Sequence, residues 1–163
     1  MKPRLHISDP QRPFIPGYGI SEESAGLLSW EDVVTWMGQS KNYWISTTRP
    51  DGHPHARPIW GIFLDNILYV GGGSTTRSFK NLHADPRIVA HTESGSQTVI
   101  IEGMARLFDD QDLADELSTA YEKKYNQPHP PPFYGIIPAK VFAWTIDDYA
   151  NTPTKWNIKE IEA

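Results

Sequence analysis

A chain of 163 residues, 39% apolar and 21% charged, is long enough for one compact domain with a substantial core, and its formal charge of −5 supplies no basic field of the kind that nucleic acid or an anionic membrane surface requires. No apolar run approaches the roughly 20 residues of a spanning helix, and prolines and charges occupy the first twenty positions, where a secretory leader needs an apolar stretch. The expectation is a cytoplasmic protein with neither nucleic acid nor membrane as partner, and the absence of cysteine removes disulfides, thiolate nucleophiles and zinc–sulfur sites together.

Residues 1–28 hold prolines and glycines with no sustained period, so they are expected to form an extended arm anchored by Phe14, Ile15, Tyr18 and Ile20, ahead of a single domain over residues 29–163. Ser29 before Asp32 is a capping pattern, and Trp30, Val33, Val34 and Met37 fall at i, i+3, i+4 and i+7, which predicts a short amphipathic helix stopped by Gly38. Residues 43–48 are β-branched and aromatic. Arg49-Pro50-Asp51-Gly52 is turn chemistry, and residues 53–64 continue as one long strand whose Pro54 and Pro58 require an edge or a bulge. Asp65-Asn66 turns the chain again into residues 67–70, completing an antiparallel meander.

The segment from Gly71 to Leu82 then runs from a strand through three glycines and three hydroxyl residues into a helix. Glycines let the backbone approach an anion closely, unpaired N–H groups at a helix start donate to it, and Arg77 with Lys80 add positive charge. Read from these residues alone, the segment is either a phosphate cradle or an ordinary hairpin end followed by a capped helix.

Pro86 ends that helix, and residues 87–93 and 97–107 form a second hairpin across Ser94-Gly95-Ser96. Asp109 is expected to cap a helix reaching about Tyr125, with Leu113, Leu117, Ala120 and Tyr121 as its apolar stripe. The proline-rich residues 126–132 cannot be regular. Residues 141–146 supply a sixth strand and 156–158 a short seventh piece. Helices interrupting an antiparallel meander without βαβ alternation indicate a mainly β fold, a small barrel with peripheral helices.

No Walker loop, dinucleotide fingerprint, serine elbow or H-E-x-x-H pair is present. His53 and His55 face the same side of a strand, but no carboxylate spacing completes a metal site with His83 or His91, so no metal is expected. The acidic run from Asp109 to Glu116 is explained by capping and the helix dipole. Arg57 inside an apolar strand either escapes along an edge or faces something negative. Trp44 and Trp60 are either core or walls for a flat ring.

Taken in order, Tyr43-Trp44-Ile45-Ser46-Thr47, Asp51-Gly52 with Pro54-His55, Pro58 with Trp60-Gly61, the stretch from Arg77 to Leu82, Asp85-Pro86-Arg87, His91 with Glu93-Ser94-Gly95, Glu102-Gly103, residues 138–144 and Thr154-Lys155-Trp156 resemble the flavin/deazaflavin oxidoreductase family related to pyridoxamine 5′-phosphate oxidase. The resemblance implies a split β-barrel that forms a homodimer, with FMN or coenzyme F-420 in grooves between the subunits. By the same resemblance the phosphate contacts are Thr76, Arg77, Ser78, Lys80 and Asn81. The ring lies along His55, Arg57, Pro58, Ile59, Trp60 and Gly61, and Lys155 and Trp156 complete the site. Ser78 stands where many relatives carry a lysine, and Lys155 replaces the usual arginine before tryptophan. The Arg-Leu pair with which true pyridoxamine phosphate oxidases hold their substrate is absent; the corresponding stretch reads Trp156-Asn157-Ile158.

The expected function is therefore hydride transfer between bound F-420 or FMN and a small organic substrate, with the cofactor supplying the chemistry. The acidic tail of F-420 favours a longer basic groove, for which Arg49, Arg57 and Lys155 are candidates. Two rival readings use the same barrel: a non-catalytic binding protein for a flavin, haem or tetrapyrrole, and a structural or regulatory dimer whose site has decayed.

Overall fold

Residues 2–161, the part of the chain that the computed structural model describes, form nine strands, three α-helices and one 3-10 turn. In chain order these are β1 (Arg4–Ile7), α1 (Trp30–Gln39), β2 (Tyr43–Thr48), β3 (Pro54–Ile59), β4 (Gly61–Leu64), β5 (Ile67–Gly71), α2 (Arg77–Ala84), β6 (Arg87–Thr92), β7 (Gln97–Phe108), α3 (Gln111–Tyr125), β8 (Phe133–Thr145) and β9 (Thr154–Ile161), with the 3-10 turn at Ile146–Asp148.

Every strand pairing is antiparallel. The sheet runs β1-β9-β8-β7-β6-β2-β3, and β5 joins β8 with β4 on its far side. One edge of the long strand β8 is divided: Phe133 to Ile136 pair with β5, and Lys140 to Ala143 pair with β9. The first half closes a barrel and the second carries a two-stranded wing, which is the split-barrel arrangement. The ladder between β7 and β8 slips one place at Glu102/Gly103, opposite Pro138, where a residue without an N–H would break a regular ladder.

Alternation along the strands fills the barrel with Tyr43, Ile45, Ile88, Ala90, Val99, Ile101, Val141 and Trp156, and α1 closes it with Val33 and Met37. A second apolar cluster lies under α3, where Leu113, Leu117 and Tyr121 pack on Ile67, Tyr69, Phe108 and Phe133. Ser29 and Asp32 make the anticipated capping box at α1.

Several expectations are corrected. The single strand over 53–64 is broken at Trp60 into β3 and β4, because the edge strand β3 pairs with β2 whereas β4 turns away to pair with β5. The strand expected at 141 begins at Phe133, and β9 extends well beyond 156–158. Helix α1 continues past Gly38 to Gln39, and Asp110, not Asp109, caps α3.

The arm contains β1, paired to β9, and two of its four expected anchors fail: Phe14 and Tyr18 are 91% and 68% exposed, while Ile15 and Ile20 are half-buried. The arm is also held by buried Pro13 and by the Arg12 guanidinium, which donates to the carbonyls of Glu23, Ala25, Asn151 and Pro153. One planar guanidinium with five donors can gather carbonyls from two distant segments. Among the described residues no helix is long and apolar enough to cross a membrane.

Candidate functional site

Strand β3 alternates exposed Pro54, Ala56 and Pro58 with more buried His55, Arg57 and Ile59, so the one arginine in it turns to the inner side of the sheet. Facing it, β5 ends in Gly71-Gly72-Gly73 before α2 begins. Between them is a cavity of about 470 Å³. Residues 57–60 form one wall and residues 71–73 with Thr76 and Phe79 another, while Asn42, Tyr121 and His129 complete the lining. The glycines are needed for close packing: a Cβ on Gly72 would overlap the Phe79 ring, and one on Gly71 would meet the His129 imidazole.

One end of this cavity meets the start of α2. Thr76 is the N-cap of α2, yet its hydroxyl donates to the Gly73 carbonyl (3.0 Å) instead of receiving a helix N–H, so the first-turn amides of α2 have no side-chain cap. In α1 and α3 the corresponding groups are satisfied by Ser29 and Asp110.

Burial, together with the positive charges of Arg49, Arg57 and Arg77, holds His55 below the usual histidine range. Among the described residues none of these arginines is paired with a carboxylate, whereas Arg87, Arg106 and Lys2 are. His55 Nδ1, Ser78 Oγ and Asn81 Oδ1 are buried without a hydrogen-bond partner. Asn81 itself donates to the Thr47 hydroxyl (3.0 Å), on the residue paired with His55 across β2 and β3. Unsatisfied buried polar atoms cost about 1–3 kcal/mol each, so the packing beneath α2 carries a cost that its own side chains do not offset.

The other end is braced from behind by α3. The Tyr121 hydroxyl donates to the Trp60 carbonyl (3.0 Å) and accepts from the Gly71 N–H (3.2 Å), tying the break between β3 and β4 to the glycine turn. Tyr125 stacks on Trp60 with ring centroids 4.5 Å apart and planes 4° from parallel. Its hydroxyl accepts from the Gly61 N–H (3.0 Å). Lys124 Nζ donates to the Tyr43 hydroxyl (2.8 Å) and the Gly61 carbonyl (3.2 Å), and burial pulls its pKa down to about 8.

The structure thus brings Arg57, Pro58, Ile59, Trp60 and Thr76 to one cavity, while His55 and the exposed Arg77 lie outside its lining. Gly61 lies buried behind the wall, and Lys80 is exposed outside the lining. Four expected site residues are revised. Ser78 and Asn81 do not present open side chains to a ligand: both are fully buried, leaving orphaned oxygens beneath α2.

Trp156 is a core residue, 1% exposed and packed edge-on against Trp30, because β9 alternation turns it into the barrel. Lys155 points to the opposite face and is separated from β3 by β8, β7, β6 and β2. Asn42, Tyr121, Lys124 and His129 were not singled out as site residues. The available signal was the pair of tyrosines one helical turn apart in the apolar stripe of α3, whose hydroxyls need partners when buried.

The family model for pyridoxamine 5′-phosphate oxidase matches residues 29–150. No curated protein matches the chain. Among solved structures, the conserved hypothetical protein Rv2991 from Mycobacterium tuberculosis is similar with a TM-score of 0.67 at 18% identity, over 77% of this chain and 90% of its own. A pyridoxamine 5′-phosphate oxidase-related, FMN-binding protein from Nostoc punctiforme gives 0.59 at 13% identity over 83% and 98% of the two chains. An F-420 reductase gives 0.55 at 15% identity over 66% and 93%. At these identities the structural likeness is one of fold.

Proposed function

The chain belongs to the pyridoxamine 5′-phosphate oxidase family, and on that premise we propose that it is a flavin- or deazaflavin-dependent oxidoreductase acting on a small organic substrate. The observation that carries the reading is the cavity in which Arg57, the inward arginine of β3 and without a carboxylate partner among the described residues, faces the glycine turn. Its volume of about 470 Å³ lies within the range of cofactor pockets.

A flavin or deazaflavin held there would supply hydride transfer. The chain's own residues would then have four tasks. Arg57, Arg77 and the first-turn amides of α2 hold the phosphate, and Gly71 to Gly73 let the backbone lie close to the ring. Trp60, fixed by Tyr125, walls one side, and Phe79 with His129 excludes water. No carboxylate lines the cavity among the described residues, which agrees with chemistry carried by a cofactor.

The arrangement also supports a homodimer. On the outer face of the sheet Pro58, Trp44, His91, Ile100 and Phe142 follow one another in register across five strands, and Lys155 comes next on β9. Trp44 is 39% exposed there. A two-fold axis through the middle of this row would carry the partner subunit's Lys155 to the β3 end, next to the cationic end of the cavity. That placement reconciles its expected role with its distance from β3 within one protomer.

The test is an absorption-monitored titration of the purified protein with FMN and then with F-420, followed by anaerobic reduction and reoxidation. Saturable binding of one of them with a perturbed ring spectrum, and turnover with a substrate, is the expected result. Binding without turnover would make the protein a carrier, and no binding of either would remove the reading.

A further inference from the structure

Asn42 immediately precedes β2 and lines the cavity next to Trp60, at the end away from the arginines. Its environment settles which way its amide faces. Glu93 Oε2 accepts from Asn42 Nδ2 (2.9 Å), while Glu93 Oε1 accepts from the backbone N–H groups of Lys41 and Asn42 (both 3.1 Å). A carboxylate has no hydrogen to give, so only the NH₂ of the amide can face it, and the carbonyl oxygen must face the other way. These same bonds hold Glu93 below the usual carboxylate range, so it remains an acceptor at neutral pH. No hydrogen bond engages Asn42 Oδ1 among the described residues, and the half-buried side chain has that one acceptor left to offer the cavity.

Resting on the reading above, we propose that Asn42 is a specificity-determining residue: its Oδ1 accepts a hydrogen bond from the ring N–H of the pyrimidine part of a bound flavin or deazaflavin, and Glu93 is the positioning residue that fixes the amide for this task. The two ends of the cavity differ in chemistry in the sense this requires. The anionic tail belongs with Arg57, the arginine of the cavity lining. At the other end the neutral polar group facing the cavity is an acceptor, and of the two ends of an isoalloxazine ring only the pyrimidine offers an N–H to it. Tyr125 and Tyr121 hold the adjoining Trp60-Gly61 backbone in place, so the acceptor is presented from a rigid wall.

The experiment compares binding of FMN and of FMN methylated at the pyrimidine N3, by fluorescence quenching, in the wild-type protein, Asn42→Ala and Glu93→Gln. In the wild type, methylation should weaken binding about tenfold, the scale of one lost hydrogen bond. In Asn42→Ala, FMN should bind about tenfold more weakly and the penalty for methylation should vanish. Glu93→Gln keeps Asn42 but lets its amide turn, so the penalty should shrink while the fold, followed by circular dichroism, is unchanged. Equal penalties in all three proteins, or none in the wild type, would overturn the inference while leaving the functional reading intact. Failure of the wild type to bind either FMN or F-420 would overturn both.

Discussion

Lys124 carries an ammonium group into a half-buried niche where its partners are a tyrosine hydroxyl and a carbonyl, with the Tyr43 ring 4.8 Å away, and no carboxylate pairs with it among the described residues. Desolvation lowers its pKa from 10.5 to about 8, so between those values the unfolded chain binds a proton that the folded chain has released. Linkage then requires stability to rise with pH across that window, the penalty for burying the charge being complete below about 8 and relieved above it. The buried Tyr43 and Tyr121, whose hydroxyls burial pushes upward, act oppositely only as their unfolded counterparts ionise near 10. Urea titrations from pH 7 to 10 should show this rise in the wild type and its loss in Lys124→Met.

At the anion end, Arg57→Ala or Arg77→Ala should each weaken FMN or F-420 binding by about 1–3 kcal/mol, the worth of a charge-assisted hydrogen bond. Lys80→Ala, on an exposed residue that unlike Arg77 is not among the charges acting on His55, should change it by less than about 0.5 kcal/mol in the same titration. Equal losses at all three positions would place the tail further along α2 than the cavity does. Trp156→Ala, by contrast, removes a buried ring from the barrel and should cost about 3–5 kcal/mol in chemical denaturation.

At the scale of elements, α3 joins the halves of the site. A helix whose apolar stripe only packed would need no hydroxyls, yet Tyr121 bridges the Trp60 carbonyl and the Gly71 N–H across the gap between β3 and β5. Tyr121→Phe keeps the packing and strands both backbone groups, so stability should fall by about 1–3 kcal/mol. Cofactor affinity should fall with it, because the two cavity walls lose their tie; a stability loss with unchanged affinity would confine Tyr121 to a structural part. The break at Trp60 has the same logic. Tyr125 and Lys124 satisfy the Gly61 peptide that a continuous strand would have paired in a ladder, which lets the chain leave β2 and cross to β5.

For the whole molecule, the outer row through Trp44, Ile100 and Phe142 covers a broad strip of the sheet with partly exposed apolar groups. A proposed isologous contact there gives each protomer two roles, one cavity and one contribution to the other's cavity. Trp44→Glu places an unpaired charge in the middle of that contact. Sedimentation velocity should show a dimer for the wild type and a monomer for this variant, with weakened cofactor binding. A wild-type monomer across the micromolar range would refute the shared site.

Much of the barrel was legible in the chain because its signals are local. The capping box at Ser29, the Asp65-Asn66 turn with φ of 52° and 66°, the prolines that suit the edge strand β3, and the glycine turn into α2 each depend on residues within a few positions of one another. Antiparallel pairing of successive strands follows from short turns, and the family's order of motifs supplied the rest of the architecture. The break at Trp60 was not legible, since an apolar run reads as one strand whether or not its neighbours change.

The first half of β8 was hidden behind the prolines that precede it, and β1 inside an arm rich in them. The site divides in the same way. Residue types pointed to the glycine turn and to the strand that the structure places opposite it. Only the tertiary structure decided that Arg57 turns inward, that Ser78 and Asn81 are buried and Trp156 belongs to the core, and that Asn42, Tyr121 and His129 close the cavity. The reason is physical: composition and spacing specify which groups are polar and which face of an element they share, whereas whether a polar group meets solvent, a partner or a ligand depends on elements distant in sequence that the chain brings against it only when the barrel closes.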